Sequence, residues 1–306
     1  MQYRVFIQSN DQQNLGAKVA EYAIKKMSRY ADRFSIEVMR LKDNPVLFNR
    51  HGQKYLRDGK ERVWNNNDLQ SFTPLRFLPP QLMNFEGRAI VIDPDVFALC
   101  DIFDLFSMDM QGKAIACRKI VPSDNRKSYF ATSVMLLDCA QLKHWKWDQS
   151  IDDMFSFKRD YRKWMSLELE LDSTVLTLDD NWNDYDHLTQ STKLLHNTGR
   201  LTQPWKTGLP IDFTAEKDGI KAAPKSKWGI PIKWVRFARS IANGEKYIPD
   251  GYYLRHPDRK QEQFFFSLLK QCLDDNFVSK DQIEEDIRKK YIRPDAFEMI
   301  KSVSEQ

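Results

Sequence analysis

Short apolar runs alternate along this chain with segments whose apolar residues recur every three or four positions. Arg4 to Gln8 (RVFIQ) reads as a strand. Leu15, Val19, Tyr22, Ala23 and Met27 fall at helical spacing, and Ser35 to Leu41 (SIEVMRL) reads as a second strand. Residues 44–70, which include HGQKYLRDGKERVWNNND, are polar and weakly periodic and predict a long loop or irregular insertion. Beyond them the pattern predicts strands at Ala89 to Ile92, Ala114 to Arg118 and Ser133 to Leu137. A helix follows over Ile151 to Leu171, then short strands at Thr174 to Leu178 and Lys193 to Leu195. Alternation of strands with helices predicts an α/β fold with a largely parallel sheet. The last part is helical, with FFFSLLKQCL as an apolar block and Ser279 and Gln282 spaced as a capping box.

Length and composition refine this picture. A chain of 306 residues suits one large α/β domain with an extension, or two domains. A hydrophobic content of 42% with only 11 glycines and 13 prolines argues for a fully folded globular protein. The net charge of +4 is too mild to imply nucleic acid, which is not expected as a partner. The charge is uneven, however: Lys217 to Lys260 holds eleven Lys or Arg against four acids, together with Trp228 and Trp234. The four scattered cysteines show no Cys-x-x-Cys pair and suggest neither a zinc site nor a disulfide framework. The start, MQYRVFIQSN, reads as a first strand and not a signal peptide, and charges interrupt every candidate membrane span. A cytoplasmic location is expected.

The stretch AIVIDPDVFALCDIFDLF places Asp93 and Asp95 directly after an apolar strand. Carboxylates there are costly unless paired or bound to a cation. In an open α/β sheet, ligands bind beyond the carboxyl ends of the strands. Two acids at i and i+2 point the same way in extended chain and can share a hard cation such as magnesium or manganese. A solvated turn is the plainer explanation of an isolated Asp-x-Asp.

Four ordered segments, TPLRFLPP, IDPDVFALCDIFDLF, SVMLLD and LLHNTGRLTQPWKTG, together resemble the glycosyltransferases of family 8, the group of glycogenin and bacterial galactosyltransferases. The resemblance covers roughly residues 3 to 208. It implies a GT-A fold, Rossmann-like and mixed with a mostly parallel sheet flanked by helices. The catalytic nucleotide-sugar domain would span 1–215. A basic, helical C-terminal extension over 216–306 would contact the acceptor or a membrane surface, placing the protein peripherally on the inner membrane face.

By the same resemblance, Asp93, Asp95 and His196 would hold Mn2+ or Mg2+, with Asp93 also on the donor. Arg76 would contact the donor, Gly199 would let the backbone approach the diphosphate, either Arg200 or Lys206 would supply the charge of the family's lysine, and Gln8, Ser9 and Asn10 would face the uracil. Trp182-Asn183 resembles the family's Trp-Asn ahead of the metal histidine. The implied reaction moves a hexose from a UDP-sugar to a glycan, lipid or protein acceptor, with retention. Two departures stand out: the family's Lys-Pro-Trp is Gln203-Pro204-Trp205, and its Asn-Ser-Gly-Val is Ala131-Thr132-Ser133-Val134. The family's next acidic or amide pair has only Glu168 and Asp172 as catalytic candidates here.

Two other readings compete. A haloacid-dehalogenase-like phosphatase would also start from an apolar strand ending in Asp-x-Asp and would recruit Asp179 and Asp180, but the residues after Asp95 are Val96 and Phe97 instead of a hydroxyl pair. A non-enzymatic module would use the basic stretch, with Trp228, Trp234 and Phe237, to bind RNA or anionic lipid.

Overall fold

The computed structural model describes residues 2–122, 127–213, 232–242 and 247–303. Its centre is a six-stranded sheet in the order β2-β1-β5-β8-β7-β9. These strands are β1 (Tyr3–Ser9), β2 (Ser35–Arg40), β5 (Arg88–Ile92), β7 (Ile115–Ile120), β8 (Tyr129–Asp138) and β9 (Val175–Leu178). β1 runs parallel to β2 and β5, and β7 runs parallel to β9. β8 alone is antiparallel, to both β5 and β7. The fold is thus mixed α/β with a mostly parallel sheet flanked by helices.

The period of two along each strand divides the core into two faces. Val5, Ile7, Ile90, Ile92, Val134 and Leu136 point to one. Phe6, Ala89, Val91, Met135 and Leu137 point to the other. Helix α1 (Asn14–Met27) covers the first face together with the helix Arg259–Asp274, whose Phe265 and Phe266 lie in the same apolar cluster as the sheet. The C-terminal helices therefore share the core of the N-terminal sheet. Ser279 caps the helix Lys280–Arg288 by accepting from the Gln282 N–H at 3.1 Å, the expected position.

Several elements differ from the sequence pattern. Residues 44–70 are not a bare loop: β3 (Lys54–Arg57) and β4 (Lys60–Val63) form a hairpin. Asp58 and Gly59 turn it with φ of +52° and +69°, the left-handed pair a two-residue hairpin loop demands. The helix expected over 151–171 is interrupted. It runs Trp147–Phe155, breaks where Phe157 takes φ +63°, and restarts as Tyr161–Met165. Asp160 makes that restart, accepting from the Arg162 N–H at 2.8 Å and the Lys163 N–H at 3.2 Å while also binding the Gly59 N–H at 2.9 Å. One carboxylate thus ties the hairpin turn to the helix start.

A small second sheet has the order β10-β11-β6, built from β6 (Val96–Ala98), β10 (Asp184–Tyr185) and β11 (Leu194–His196); the strand expected at Lys193 to Leu195 overlaps β11, and the other two were not expected. The chain enters it through a turn, since β5 ends at Ile92 and Val96 N–H bonds back to the Asp93 carbonyl at 3.2 Å. Asp93 and Asp95 are therefore gathered by a turn and not by the pleat of one continuous strand.

Helix α1 presses on that turn. A Cβ added at Gly16 would lie 2.8 Å from the Pro94 carbonyl oxygen and 3.6 Å from Trp205 Cζ2. Gly16→Ala should cost about 1–2 kcal/mol in urea denaturation, because the overpacking penalty exceeds the gain in helix propensity. A variant as stable as the wild type would show that this contact does not set the turn.

Candidate active site

β6 pairs antiparallel with β11 in a register that puts His196 opposite Val96, and the Asn197 N–H donates to the Asp95 carbonyl at 3.0 Å. This fixes His196 beside the Asp-Pro-Asp turn, with Nε2 3.3 Å from an Asp95 carboxylate oxygen. One ligand atom from each of Asp93, Asp95 and His196 lies within 4.8 Å of the others, the cluster of this kind found among the described residues.

Neighbouring groups orient each member. Asn183 donates its amide to Ser133 Oγ at 2.9 Å, so its oxygen faces His196 Nδ1 at 2.8 Å and accepts the N–H there. The lone pair of the neutral ring is then on Nε2, turned toward the acids, as in histidines that bind metals. Asp93 takes a two-pronged contact from Arg76, at 2.9 and 3.2 Å, and a hydrogen bond from Gln8. Arg76 also donates to Thr132 Oγ1 at 2.5 Å. Asp95 accepts from Gln203 Nε2 at 3.1 Å, and Gln203 is itself held by Gln13 at 3.4 Å.

The electrostatics are compatible with a cation at the cluster. Burial pushes the Asp93 carboxyl up, against the pull of Arg76, and the adjacent Asp95 adds repulsion. Burial disfavours the His196 imidazolium, yet the Asp95 charge and hydrogen bond outweigh it and raise the pKa. Two carboxylate oxygens and one imidazole nitrogen form a donor set suited to manganese or magnesium.

The cluster opens into a cleft of about 290 Å³. Arg76, Arg200 and Gln203 line it with Asp93, Asp95 and His196. So do Arg57 on β3, Arg162 and Gln13, which the sequence reading did not single out. The Asp-Gly dipeptide in LRDGKERV was a legible hairpin signal for Arg57. Nothing local marked Arg162 or Gln13.

Other expected site residues lie elsewhere. Glu168 and Asp172 are exposed and outside the cleft lining, with Glu168 accepting from Ser166 Oγ at 2.9 Å. Met165 and Ser166 line the cleft in that segment. Lys206 is fully buried on Asp212, which also accepts from Tyr253 at 2.5 Å, and it does not reach the cleft. Burial lowers its pKa, with Asp212 offsetting part of that. Gly199 stands behind the lining, where a Cβ would meet Thr202 Oγ1 at 2.3 Å, while its neighbours Thr198 and Arg200 face the cleft. Gln8, Ser9 and Asn10 are buried beneath the site: Ser9 bonds the Asn10 carbonyl, and Asn10 bonds Ser71 at 3.1 Å. Asp179 and Asp180 are exposed, and Asp180 pairs with Arg118 at 2.9 Å. They supply no second acidic pair to the Asp93 cluster. Trp228 and the basic residues from Lys217 to 231 lie outside the described residues, while Trp234 and Phe237 are exposed on the helix Ile232–Ala242. No helix among the described residues is long and apolar enough to cross a membrane.

No family model and no curated protein matches the chain. Among solved structures it is similar to the apo bifunctional glycosyltransferase WbbM, at 14% identity and TM-score 0.48 over 67% of this chain and 47% of that one. It is similar to the glycosyltransferase GlyE of Streptococcus pneumoniae TIGR4, at 13% identity and TM-score 0.47 over 67% and 56%. It is also similar to the galactosyltransferase LgtC solved with donor and acceptor sugar analogues, at 12% and 0.45 over 81% and 98%. The chain spans about half the length of the first two.

The Asn183 bridge gives a direct check. Asn183→Ala should weaken Mn2+ binding about 10–100-fold, the usual cost of losing a group that orients a ligand. Titration of Mn2+ by calorimetry measures it, and unchanged affinity would remove His196 from the ligand set.

Proposed function

We propose that this chain is a metal-dependent glycosyltransferase of GT-A type that moves a hexose from a UDP-sugar to an acceptor hydroxyl with retention. The observation that carries the reading is the Asp93, Asp95 and His196 cluster, gathered beyond the carboxyl end of β5 at the floor of a cleft. The resemblance in sequence to family 8 supports the same assignment.

A divalent ion held there would supply electrostatic stabilisation to the leaving diphosphate. The chain's own residues then have defined tasks. Asp95 and His196 would offer lone pairs to the ion, and Asn183, by accepting the Nδ1 proton, puts the lone pair of the neutral ring on Nε2. Arg76 braces Asp93 and balances its charge. Arg200, at the edge of the cleft, is the cation we assign to the diphosphate in place of the family's lysine. Burial and Arg57 push its pKa down, and Tyr161 and Asp68 pull it back. Gln203 occupies the lysine's place but spends its amide on Asp95. Gln8, Ser9 and Asn10 are assigned a supporting role under the nucleotide, with Gln13, also buried, on the cleft side.

Retention fits the lining. Asp93 and Asp95 are the carboxylates that face the cleft among the described residues, and both are engaged in the cluster. A covalent double displacement needs a further carboxylate near the anomeric carbon. Attack on the face of the leaving group does not, so neither Glu168 nor Asp172 receives a catalytic role. We assign acceptor or membrane-surface contact to the C-terminal region, where Trp234, Val235 and Phe237 stand exposed on one helix.

Two measurements test this. Asp95→Asn keeps shape and removes charge, and it should abolish the Mn2+-dependent rise in melting temperature that UDP gives the wild type. Equal stabilisation of the variant would sink the central assignment. Arg200→Gln should weaken UDP binding about tenfold or more, as expected for loss of a charged hydrogen bond, with the melting temperature of the free protein unchanged. UDP affinity equal to wild type would show that Arg200 faces only water.

A further inference from the structure

Among the described residues, the cleft carries more positive charge than a nucleotide-sugar can use. Arg57, Arg76, Arg162 and Arg200 line it, against the two aspartates. On the reading above, Arg76 is spent on Asp93, a divalent ion would offset Asp95 and one charge of the donor diphosphate, and Arg200 would meet the other. Arg57 and Arg162 are left over.

These two form a built arrangement. Asp160 binds the turn beside Arg57 through the Gly59 N–H and the helix start through the Arg162 N–H, so one carboxylate sets both backbones. Each guanidinium rests on an aromatic ring: Arg57 Cζ lies 4.8 Å from the Tyr161 ring centroid, and Arg162 Cζ lies 5.4 Å from that of Tyr129. Ring contacts of this kind orient a guanidinium without neutralising it. Arg57 donates one terminal N–H to Gln70 at 3.3 Å, while its buried Nε–H has no acceptor. Arg162 has no ion pair among those of the described residues. Arg57 and Arg162 enter the cleft from β3 and the helix Tyr161–Met165, elements other than the Asp-Pro-Asp turn and β11 that carry Asp93, Asp95 and His196.

We propose that Arg57 and Arg162 form an anion subsite for the acceptor, and that the acceptor is a saccharide bearing a phosphoryl or carboxylate group near the hydroxyl that receives the hexose. Guanidinium groups match both oxyanions with paired donors. The hairpin that carries Arg57 is then a specificity element, delivering a cation to the cleft from outside the segments that carry the metal cluster. This assignment rests on the glycosyltransferase reading.

The test uses the full chain and calorimetric binding of hexose 6-phosphates, hexuronic acids and the matching neutral hexosides, each with and without UDP and Mn2+. The wild type should bind at least one of the anionic sugars and bind it at least tenfold more tightly than its neutral counterpart. The phosphate and uronate arms tell which oxyanion is preferred. Arg57→Gln and Arg162→Gln should each lose at least tenfold for the anionic sugar while Mn2+-dependent UDP affinity stays within about twofold. Arg162→Lys should recover part of the loss, and exposed Arg162 provides a variant whose folding is not at risk. If the Gln variants instead weaken UDP tenfold, these arginines serve the donor and the inference is overturned. It is equally overturned if wild type binds neutral and anionic sugars alike, or if the variants bind the anionic sugar like wild type. Failure of the wild type to bind UDP at all would overturn the glycosyltransferase reading separately, while the sugar arms without UDP still decide whether Arg57 and Arg162 bind an anion.

Discussion

Two carboxylates must be accommodated at the end of a strand whose last four residues are wholly apolar, and much of the surrounding structure serves that requirement. Ala89 to Ile92 are fully buried, so the charges of Asp93 and Asp95 begin where the sheet ends. Each acid is met by a donor from a distant part of the chain: Gln8 and Arg76 on Asp93, Gln203 on Asp95. Breaking one such contact leaves a buried charge uncompensated, which costs far more than the intact contact contributes. The β1 end, the segment around Arg76 and the loop after His196 are all bound to the turn for this reason.

The loop that carries Gln203 is anchored from the far end of the chain. Trp205 packs at 4.7 Å on Phe265 and at 5.9 Å on Phe97, joining the C-terminal helix to β6. The Arg293 N–H donates to the Trp205 carbonyl at 2.8 Å, and the buried Arg293 side chain pairs with Glu262 at 3.2 Å. The C-terminal helices therefore hold the site's loop in place as well as completing the core. Lys206, next in sequence to Trp205, is drawn into this packing and onto Asp212, which explains why a lysine adjacent to the expected diphosphate position does not face the cleft.

Another part of the cleft lining has a different origin. It comes from the hairpin at residues 54–63 and the helix Tyr161–Met165, elements far apart in sequence and joined through Asp160. Arg57, Tyr161 and Arg162 line the cleft from these elements.

The α/β alternation, the positions of the six central strands and the apolar block of the C-terminal helix could be read from hydrophobic period alone, because backbone geometry imposes periods of two and 3.6 on any buried face. Asp93, Asp95 and His196 were legible because their motifs are local. The sequence did not determine how they meet: the turn at Pro94 and the β6–β11 register do, through pairing between residues about a hundred positions apart. Whether a charged side chain faces the cleft or the core was likewise decided by packing. Lys206 was expected at the diphosphate and lies buried, Glu168 and Asp172 were expected at the site and lie outside it, and Arg57 and Arg162 carried no local mark yet line the cleft. Residue identity fixes charge and reach, but the direction in which a long side chain points depends on neighbours that only the folded chain supplies.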